Sequence, residues 1–426
     1  MEFEILFIKR NNILSVEEAA YYRDFLYRTV RIGTELEIAV PKGVMRPLFQ
    51  KQLEYYFLPG GSIRKPGRFG VYQVEKEHCG VEIKILGILP YWDILYSQFF
   101  NTISFILSKG GRVKSTCGLH FHVLITENRP EIPEIILANV WNITRRYAPF
   151  LKFLTSTGNT IEGLCRRRNH NSHLELVKLS PAVYTMKEIK QILDESDIVP
   201  KHQNFLNLEH LKFDKNGDII NFHYENRFPD MDLSPTSIVA KYFLFLAILL
   251  KAAEISKYGV IHAGRYPEWK KKVELLNKLS NNDGDLATSY TGTLTEEDIQ
   301  YLKDGACDLI EFLKPVLLSF RNPSYIILRS LAKNPISFMR IQGYSWFDIE
   351  KKLRVKKDPI TKLEKTILLA IEAVIFKKLS SPVEWMGYFS RKFLYRIEEV
   401  KVAIHSLQQK KKIYWDEELG TFMLEE

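Results

Sequence analysis

Three short runs that lie far apart in the chain each place two polar side chains two residues apart between apolar neighbours. The pairs are Glu35 and Glu37, His120 and His122, and Glu225 and Arg227. Side chains of a β-strand alternate between its two faces, so both members of a pair point to the same side, about 7 Å apart. The pattern therefore predicts strands with one polar face and one face against a core.

A fourth run of this kind, Gly-Val-Glu-Ile at 80–83, places Glu82 between apolar residues. The predicted strands are 33–40, 69–74, 81–86, 119–125 and 219–228, and helical patterns at 91–107 and 136–153 lie between them. Strands separated by helices often form a parallel sheet. Here the irregular spacing and the alternation of polar and apolar residues favour an antiparallel sheet, and thus an α+β fold.

The chain after residue 234 is predicted to be mainly helical. Its helical patterns are 236–255, 267–279, 295–312 and 346–353, and the polar run 280–284 predicts an exposed loop. Three more helices, at 361–378, 385–394 and 398–410, precede a hairpin that pairs 412–415 with 421–424. This order is that of a winged helix, whose third helix would be the recognition helix if the protein bound DNA. We predict domains at 1–265, 266–354 and 355–426.

Composition and charge narrow the class of protein. A chain of 426 residues is long enough for two to three domains. A net charge of +9 gives the protein a modest preference for anionic partners. Four scattered cysteines without a CxxC pair argue against a disulfide framework and against a thiolate zinc site. The charged first residues do not form a signal peptide, and the apolar run 243–250 is too short to span a membrane. We expect a reduced, cytoplasmic protein.

Acidic and imidazole side chains on one sheet face repel or desolvate one another unless a cation lies between them. A divalent metal is the cation that such ligands hold, and a set rich in glutamate favours Mg²⁺ or Mn²⁺. Arg227 beside Glu225 suits a phosphate group next to such a metal. Metal ligands and an arginine on one face are what phosphoryl transfer requires. The sequence has no Walker A loop and no GxGxxG, so a nucleotide would bind through metals and arginine.

The runs GTELEIAV (33–40), GVEIKILGIL (80–89), CGLHFHV (117–123), FLNL (205–208) and FHYENRF (222–228) occur in an order that resembles the amidoligase family. These are ATP-dependent carboxylate–amine ligases that share the glutamine synthetase and glutamate–cysteine ligase fold. The resemblance covers about residues 30–260. It implies a funnel of antiparallel strands, with ATP entering at one end and two or three divalent metals at the neck.

The resemblance also implies a role for each matched residue. The implied metal ligands are Glu35, Glu37, Glu82, His120 and Glu225. The implied contacts to the nucleotide or its phosphates are His122, Asn207 and Arg227, together with Arg168 in the basic run 166–168. Arg227 also has the catalytic role of contacting the γ-phosphate. The base that accepts a proton from the amine is predicted to be Glu75 or Glu77.

The implied reaction has two steps. A carboxylate oxygen attacks the γ-phosphate of ATP to form an acyl phosphate and ADP, and an amine then displaces phosphate to form an amide or peptide bond. The chain departs from the family pattern near Glu82 and at Asn226. The family usually has Ser-Pro soon after the glutamate that matches Glu82, whereas Ile83 and Lys84 follow it here, and the family has an apolar residue at the position of Asn226. The family often has an Asp-x-Ser step before this strand, and residues 75–78 take its place here.

Two other functions are compatible with these residues. The spacing of His120, His122 and Glu127 is that of a cupin metal enzyme, although the glycines of that motif are absent. Alternatively, the protein is a regulatory protein without catalytic activity, which binds nucleic acid or peptide through its winged-helix-like part. In a combined reading, this part delivers a leader peptide or a nucleic-acid-linked group to a ligase site. Substrate specificity is expected to lie in the loops 50–68 and 165–176.

Overall fold

The computed structural model describes residues 5–9, 13–60, 65–88, 90–114, 117–125, 131–157, 206–215, 219–262, 264, 266–280, 294–354, 362–372, 379, 381–393, 395–410 and 412–424. The chain forms two compact units, Met1–Arg354 and Val355–Glu426.

The described elements of the first unit mix strands and helices. Strands β1 to β10 span Phe7–Ile8, Val30–Ala39, Val71–Lys76, Gly80–Ile88, Leu119–Ile125, Leu206–Asn207, Lys212–Phe213, Ile219–Asn221, His223–Asn226 and Val260–Ile261. Helices α1 to α11 span Val16–Thr29, Arg46–Phe57, Trp92–Ser108, Glu134–Arg146, Ala148–Thr155, Pro235–Ile255, Tyr266–Ser280, Glu296–Ser319, Ser324–Lys333, Ile336–Ile341 and Trp346–Leu353.

Six of these strands form one sheet in the order β3-β4-β2-β5-β9-β6, and every neighbouring pair is antiparallel. The prediction of an antiparallel sheet in an α+β fold is therefore confirmed. The long strands β2, β4 and β5 supply the centre of this sheet. The short strands pair separately, β1 with β10 and β7 with β8.

The apolar face of the sheet packs against helix α6. Leu36, Ile83 and Phe121 are fully buried, and the ring of Phe121 lies 5.2 Å from that of Phe245 in α6. Ser234 caps α6 by accepting a hydrogen bond from the backbone of the first turn, and Pro235 occupies its first position, where no N–H is needed. Every residue of α6 except one is buried, because the helix contacts α1, α3, α4, α8 and α9 as well as β5.

Two predicted elements are each divided in the structure. The predicted strand 219–228 forms β8 and β9, because β8 pairs with β7 whereas β9 pairs with β5 and β6. The predicted helix 136–153 forms α4 and α5. The division lies at Tyr147, just before Pro149, whose missing N–H cannot continue the hydrogen-bond ladder of α4.

Some elements were not predicted, and two of the predicted loops cannot be compared. Helices α1 and α2 were not predicted: α1 buries only Ala19 and Leu26, and α2 buries only Phe49, Leu53 and Phe57, so each has a narrow apolar stripe. Residues 281–284 of one loop and all of 165–176 lie outside the described residues. The first part of the predicted loop 50–68 is helical instead, because α2 extends to Phe57. None of the described helices combines the length and the apolar content needed to cross a membrane.

The second unit has its own core. Helices α12 to α14 span Lys362–Glu372, Pro382–Phe393 and Ile397–Gln409, and strands β11 and β12 span Ile413–Asp416 and Thr421–Leu424. Trp385, Phe389, Ile404 and Phe422 are buried together in this core. The three helices and antiparallel hairpin occur in the predicted order. Their assignment as a winged helix stays a prediction.

Candidate functional site

The polar pairs predicted from the sequence lie on one face of the six-stranded sheet. Antiparallel pairing places Glu37 opposite Glu82 in β4, Glu35 opposite His120 in β5, and His122 opposite Glu225 in β9. Opposed side chains in such pairs are about 5 Å apart at Cβ, so they interact directly. We call five acidic residues of this face the carboxylate cluster: Glu35, Glu37, Glu75, Glu82 and Glu225.

Glu35 lies at the centre of the carboxylate cluster. Its Oε2 atom is 3.3 Å from His120 Nδ1, and its Oε1 atom is 3.2 Å from His122 Nε2 and 3.4 Å from Lys84 Nζ. Burial opposes the ionisation of Glu35, but hydrogen bonds and charge from both histidines hold its pKa well below the usual range. Glu35 is therefore an anion at neutral pH.

His120 is buried among three carboxylates. Besides Glu35, its Nδ1 atom lies 3.2 Å from Glu225 Oε1, and its Nε2 atom lies 3.6 Å from Glu37 Oε1. Glu37 is held in turn by the backbone N–H of Gly118, which donates to Glu37 Oε2 over 2.6 Å. Both nitrogens of the His120 ring thus face acidic groups, as the alternation of β5 predicts.

Glu82 has an unusual affinity for a proton. Burial, followed by the charge of Glu35, raises the pKa of Glu82 to about 8, although Lys84 Nζ lies 3.1 Å from its Oε2 atom. A substantial fraction of Glu82 is therefore protonated at neutral pH. Burial of the Glu82 carboxylate is the larger cause, and the negative charge of Glu35 adds to it.

Glu225 links the cluster to the only guanidinium among the described contacts of this face. Arg227 Nη1 donates to Glu225 Oε1, and Asn207 in β6 donates to Glu225 Oε2 over 3.0 Å. The Asn207 amide oxygen accepts a hydrogen bond from the backbone of Glu209, which fixes the orientation of the amide. The structure thus brings Asn207 and Arg227 to the same carboxylate. Their predicted roles toward a nucleotide stay predictions.

Two buried ion pairs hold the segment that follows β9. Lys152 in α5 donates to Asp230 over 2.8 Å, and Lys241 in α6 donates to Asp232 over 2.6 Å, with all four side chains buried. Loss of one partner of such a pair leaves a buried charge and costs about 3–5 kcal/mol. These pairs were not predicted from the sequence. Lys152 and Lys241 each lie inside an apolar helical run, and a lysine in such a run indicates a buried acidic partner.

Two further histidines extend the site beyond the predicted residues. His223 Nε2 lies 3.0 Å from His122 Nδ1, and the ring of His210 stacks on that of His223 with centroids 4.6 Å apart. Burial, followed by the charges of His122 and His210, lowers the pKa of His223 to about 3. Burial opposes protonation of His122 as well, but the contact with Glu35 raises its pKa. The proton between these rings therefore belongs to His122.

We expect His223 to make the folded protein less stable in acid. Its folded pKa of about 3 lies below the unfolded value of about 6.5, so between these values the unfolded chain binds more protons. The free energy of unfolding should therefore fall as the pH drops from about 6.5 towards 3, and His223→Gln should remove this part of the loss. Urea unfolding at about pH 7.5 and about pH 5 measures it.

His122 provides a control of opposite sign. Its folded pKa is raised, so it contributes stability that is present below the unfolded pKa and is lost as the pH rises. His122→Gln should therefore steepen the loss of stability in acid that His223→Gln reduces. An equal pH dependence in both variants and the wild type would contradict the assignment.

Gly118 is required by close packing at the centre of the site. A Cβ atom at this position would lie 2.7 Å from His120 Nε2 and 3.2 Å from Glu37 Oε2. Both distances are shorter than an ordinary contact, so the imidazole and the carboxylate would have to move. The glycine of the run Cys-Gly-Leu-His therefore allows His120 and Glu37 to approach each other.

Gly118→Ala should reduce the affinity for Mn²⁺ in the presence of ATP roughly tenfold without unfolding the protein, because it displaces two of the predicted ligands, His120 and Glu37. Gly33→Ala is the matched control on β2. A Cβ atom there meets its nearest neighbours at 3.6 Å, which is ordinary contact. Calorimetric titration with Mn²⁺ compares the two, and equal affinities would show that the packing around Gly118 does not position the ligands.

The donor set of the carboxylate cluster fits divalent cations. Two triads each offer three ligand atoms within 4.8 Å of one another: Glu35, Glu82 and His120, and Glu35, His122 and Glu225. Oxygen donors in the majority suit Mg²⁺ or Mn²⁺. Four of the five predicted metal ligands belong to these triads, and Glu37 contacts His120 beside them.

Of the remaining predicted residues, only Glu75 is found on this face among those that the structure describes. Glu75 in β3 is opposite Glu82 and contacts Lys84 Nζ over 3.0 Å, so it belongs to the same face. Glu77 lies in the turn between β3 and β4, beyond the strand end. Arg168 with its basic run, and Glu127 of the alternative cupin spacing, lie outside the described residues.

Comparisons with known proteins give weak similarities. No family model and no curated protein matches the chain. A bifunctional glutathione synthetase from Pasteurella multocida aligns with 80% of this chain and 53% of its own, at 12% identity and a TM-score of 0.37. The ligase PafA, in complex with the prokaryotic ubiquitin-like protein Pup, aligns with 84% of this chain and 70% of its own, at 12% identity and a TM-score of 0.37. The chain thus spans about half the length of the glutathione synthetase. At these TM-scores the similarities do not establish a shared fold.

Proposed function

We propose that this protein is an ATP-dependent carboxylate–amine ligase of the amidoligase type, which forms an amide bond through an acyl phosphate. The observation that carries the proposal is the polar sheet face, where carboxylates, two imidazoles and a guanidinium from neighbouring strands converge. The order of sequence motifs that resembles the amidoligase family supports it independently. Residues 1–265 would form the catalytic domain, 266–354 a helical extension and 355–426 a winged-helix-like module.

The two triads of the carboxylate cluster would hold Mg²⁺ or Mn²⁺. When bound, the ions neutralise oxygens of the ATP phosphates. Glu35 belongs to both triads and would be a ligand in each. Asn207 holds Glu225 in one orientation, because its amide donates to Glu225 Oε2 while its own oxygen is occupied by a backbone N–H.

In the first step, a carboxylate oxygen of the acid substrate forms a bond to the γ-phosphorus, and the bond between that phosphorus and the ADP oxygen breaks. Arg227 is placed to stabilise the charge on the transferred group, because its guanidinium can keep Glu225 and still present further N–H donors to phosphate oxygens. Lys152 donates to the backbone carbonyl of Phe228, the residue that follows Arg227, over 2.9 Å.

In the second step, the amine nitrogen bonds to the acyl carbon and phosphate leaves with the electrons of the broken C–O bond. The ammonium proton passes to a base. We propose Glu75, or Glu77 in the turn after it, for this role. Glu75 lies on the outer strand of the sheet with 42% of its side chain exposed, so an amine can reach it from solvent.

The test follows both products of the reaction. The full chain is incubated with ATP, Mg²⁺ or Mn²⁺, and pools of amino acids, polyamines and acidic peptides, of which the acids carry ¹⁸O in their carboxylates. The proposal predicts ADP formation that requires both an acid and an amine, a new amide mass, and one ¹⁸O atom transferred to phosphate. ADP formed at the same rate without acid or amine, or phosphate without ¹⁸O, would contradict it.

A further inference from the structure

Lys84 is a cation inside the carboxylate cluster that the proposed function does not use. It follows Glu82 by two residues on β4, so both side chains point to the polar face. Its Nζ atom lies 3.0 Å from Glu75, 3.1 Å from Glu82 and 3.4 Å from Glu35. These carboxylates come from three different strands, and 20% of the Lys84 side chain is exposed. An ammonium with three carboxylate partners at this depth is held by more than an ordinary surface ion pair.

The ammonium of Lys84 competes directly with one of the two metal positions. The triad of Glu35, Glu82 and His120 would need the same two carboxylates that Lys84 contacts. A divalent ion close to this ammonium would be repelled by it. The other triad shares only Glu35 with Lys84, and its second carboxylate, Glu225, is contacted by Arg227 instead. Among the described residues, no lysine or arginine contacts both carboxylates of this triad.

The charges of the face are consistent with this division. Five carboxylates against two fixed cations, Lys84 and Arg227, leave three negative charges when all five are ionised. Lys84 pairs with the carboxylates of β3 and β4 at the edge of the sheet, whereas Arg227 pairs with the carboxylate of β9. Lys84 also lies where the sequence departs from the amidoligase pattern, between Glu82 and the position at which the family usually has Ser-Pro.

We infer that Lys84 is a built-in cation of the site, whose ammonium takes the place of a divalent ion between Glu35, Glu75 and Glu82. Without nucleotide, the protein then binds a divalent ion at Glu35, His122 and Glu225 only, and further ions enter with the ATP phosphates. The inference rests on the proposed function for the role of the ions. The number of ions that bind without nucleotide tests it separately.

The experiment counts Mn²⁺ ions by electron paramagnetic resonance titration of the full chain without nucleotide. We expect about one tightly bound Mn²⁺ per wild-type chain and about two per chain of Lys84→Met, which keeps the length of the side chain and removes its charge. Lys84→Arg keeps the charge and should bind as the wild type does. Lys76→Met is the matched control, because Lys76 is an exposed lysine on β3 that pairs with Val81 and points away from the cluster.

A double variant locates the additional ion. Lys84→Met combined with Glu82→Gln should lose the ion that Lys84→Met gained, because Glu82 belongs only to the triad that Lys84 blocks. If Lys84→Met does not fold, as judged by circular dichroism, Lys84→Gln replaces it with a polar side chain. Equal Mn²⁺ counts in the wild type and the uncharged variants, or loss of the wild-type ion from a folded variant, would overturn the inference.

The same preparations separate this inference from the proposed function. Acid- and amine-dependent ADP formation with equal Mn²⁺ counts would leave the ligase standing and reject the role of Lys84. An additional ion in Lys84→Met that Glu82→Gln removes, without any such ADP formation in the wild type, would support the built-in cation and reject the ligase. Absence of Mn²⁺ binding from wild type and variants alike would overturn the inference whatever the ADP assay gives.

Discussion

Glu35→Gln is expected to lower Mn²⁺ affinity by more than about 100-fold and to abolish amine-dependent ADP formation. Glu35 is the only residue common to both metal triads, so its loss affects both positions at once. The amide of glutamine has a single neutral oxygen, and its NH₂ group would face the N–H donors of His120 and His122 and the ammonium of Lys84. Other single substitutions in the cluster leave one triad complete.

The control for this substitution is Glu54→Gln on helix α2. The Glu54 carboxylate accepts a hydrogen bond from Gln50 on the same helix, so the substitution removes the same charge from the surface of the first unit. Calorimetry with Mn²⁺ and the ADP assay compare the two variants, with circular dichroism as the check of folding. Retention of most of the Mn²⁺ affinity in a folded Glu35→Gln protein would show that the ions bind elsewhere.

Arg227→Lys is expected to slow ADP formation by about a thousandfold, the effect of losing an arginine that stabilises a transferred phosphoryl group. The guanidinium contacts Glu225 and is only 12% exposed, so it is held against the cluster with its planar set of donors in a fixed direction. Lysine keeps the positive charge but offers a single point of contact, so it cannot hold Glu225 and a phosphate oxygen with the same geometry. The loss should therefore appear mainly in kcat, with little change in KM for ATP.

Mn²⁺ affinity distinguishes this role from a structural one. Arg227 is not a metal ligand, so Arg227→Lys should change Mn²⁺ affinity by no more than about threefold. Arg31→Lys is the matched control, because Arg31 lies on β2 of the same sheet and its guanidinium donates to the backbone carbonyls of Arg28 and Val30. A Mn²⁺ affinity that falls in parallel with the rate would mean that Arg227 supports the cluster rather than the transferred phosphate.

The sequence predicted which side chains share a face because this is a local property of strands. Glu35 with Glu37, and His120 with His122, needed only the period of two that every strand has. The antiparallel α+β class followed from the same alternation, and the capped apolar helix α6 followed from Ser234, Pro235 and the run of apolar residues behind them. These predictions needed no knowledge of which strands are neighbours.

The tertiary structure decided which of these residues meet. Strand order and register depend on contacts between distant parts of the chain, and they alone place Glu35 between His120 and Lys84. For the same reason, Lys84 and His223 could not be recognised as site residues from their own runs, where each has the neighbours of an ordinary strand. The buried pairs of Lys152 with Asp230 and Lys241 with Asp232 likewise join residues 78 and 9 positions apart through the packing of helices. Alternation along a strand is set by the backbone, whereas pairing between strands is set by the packing of the whole unit.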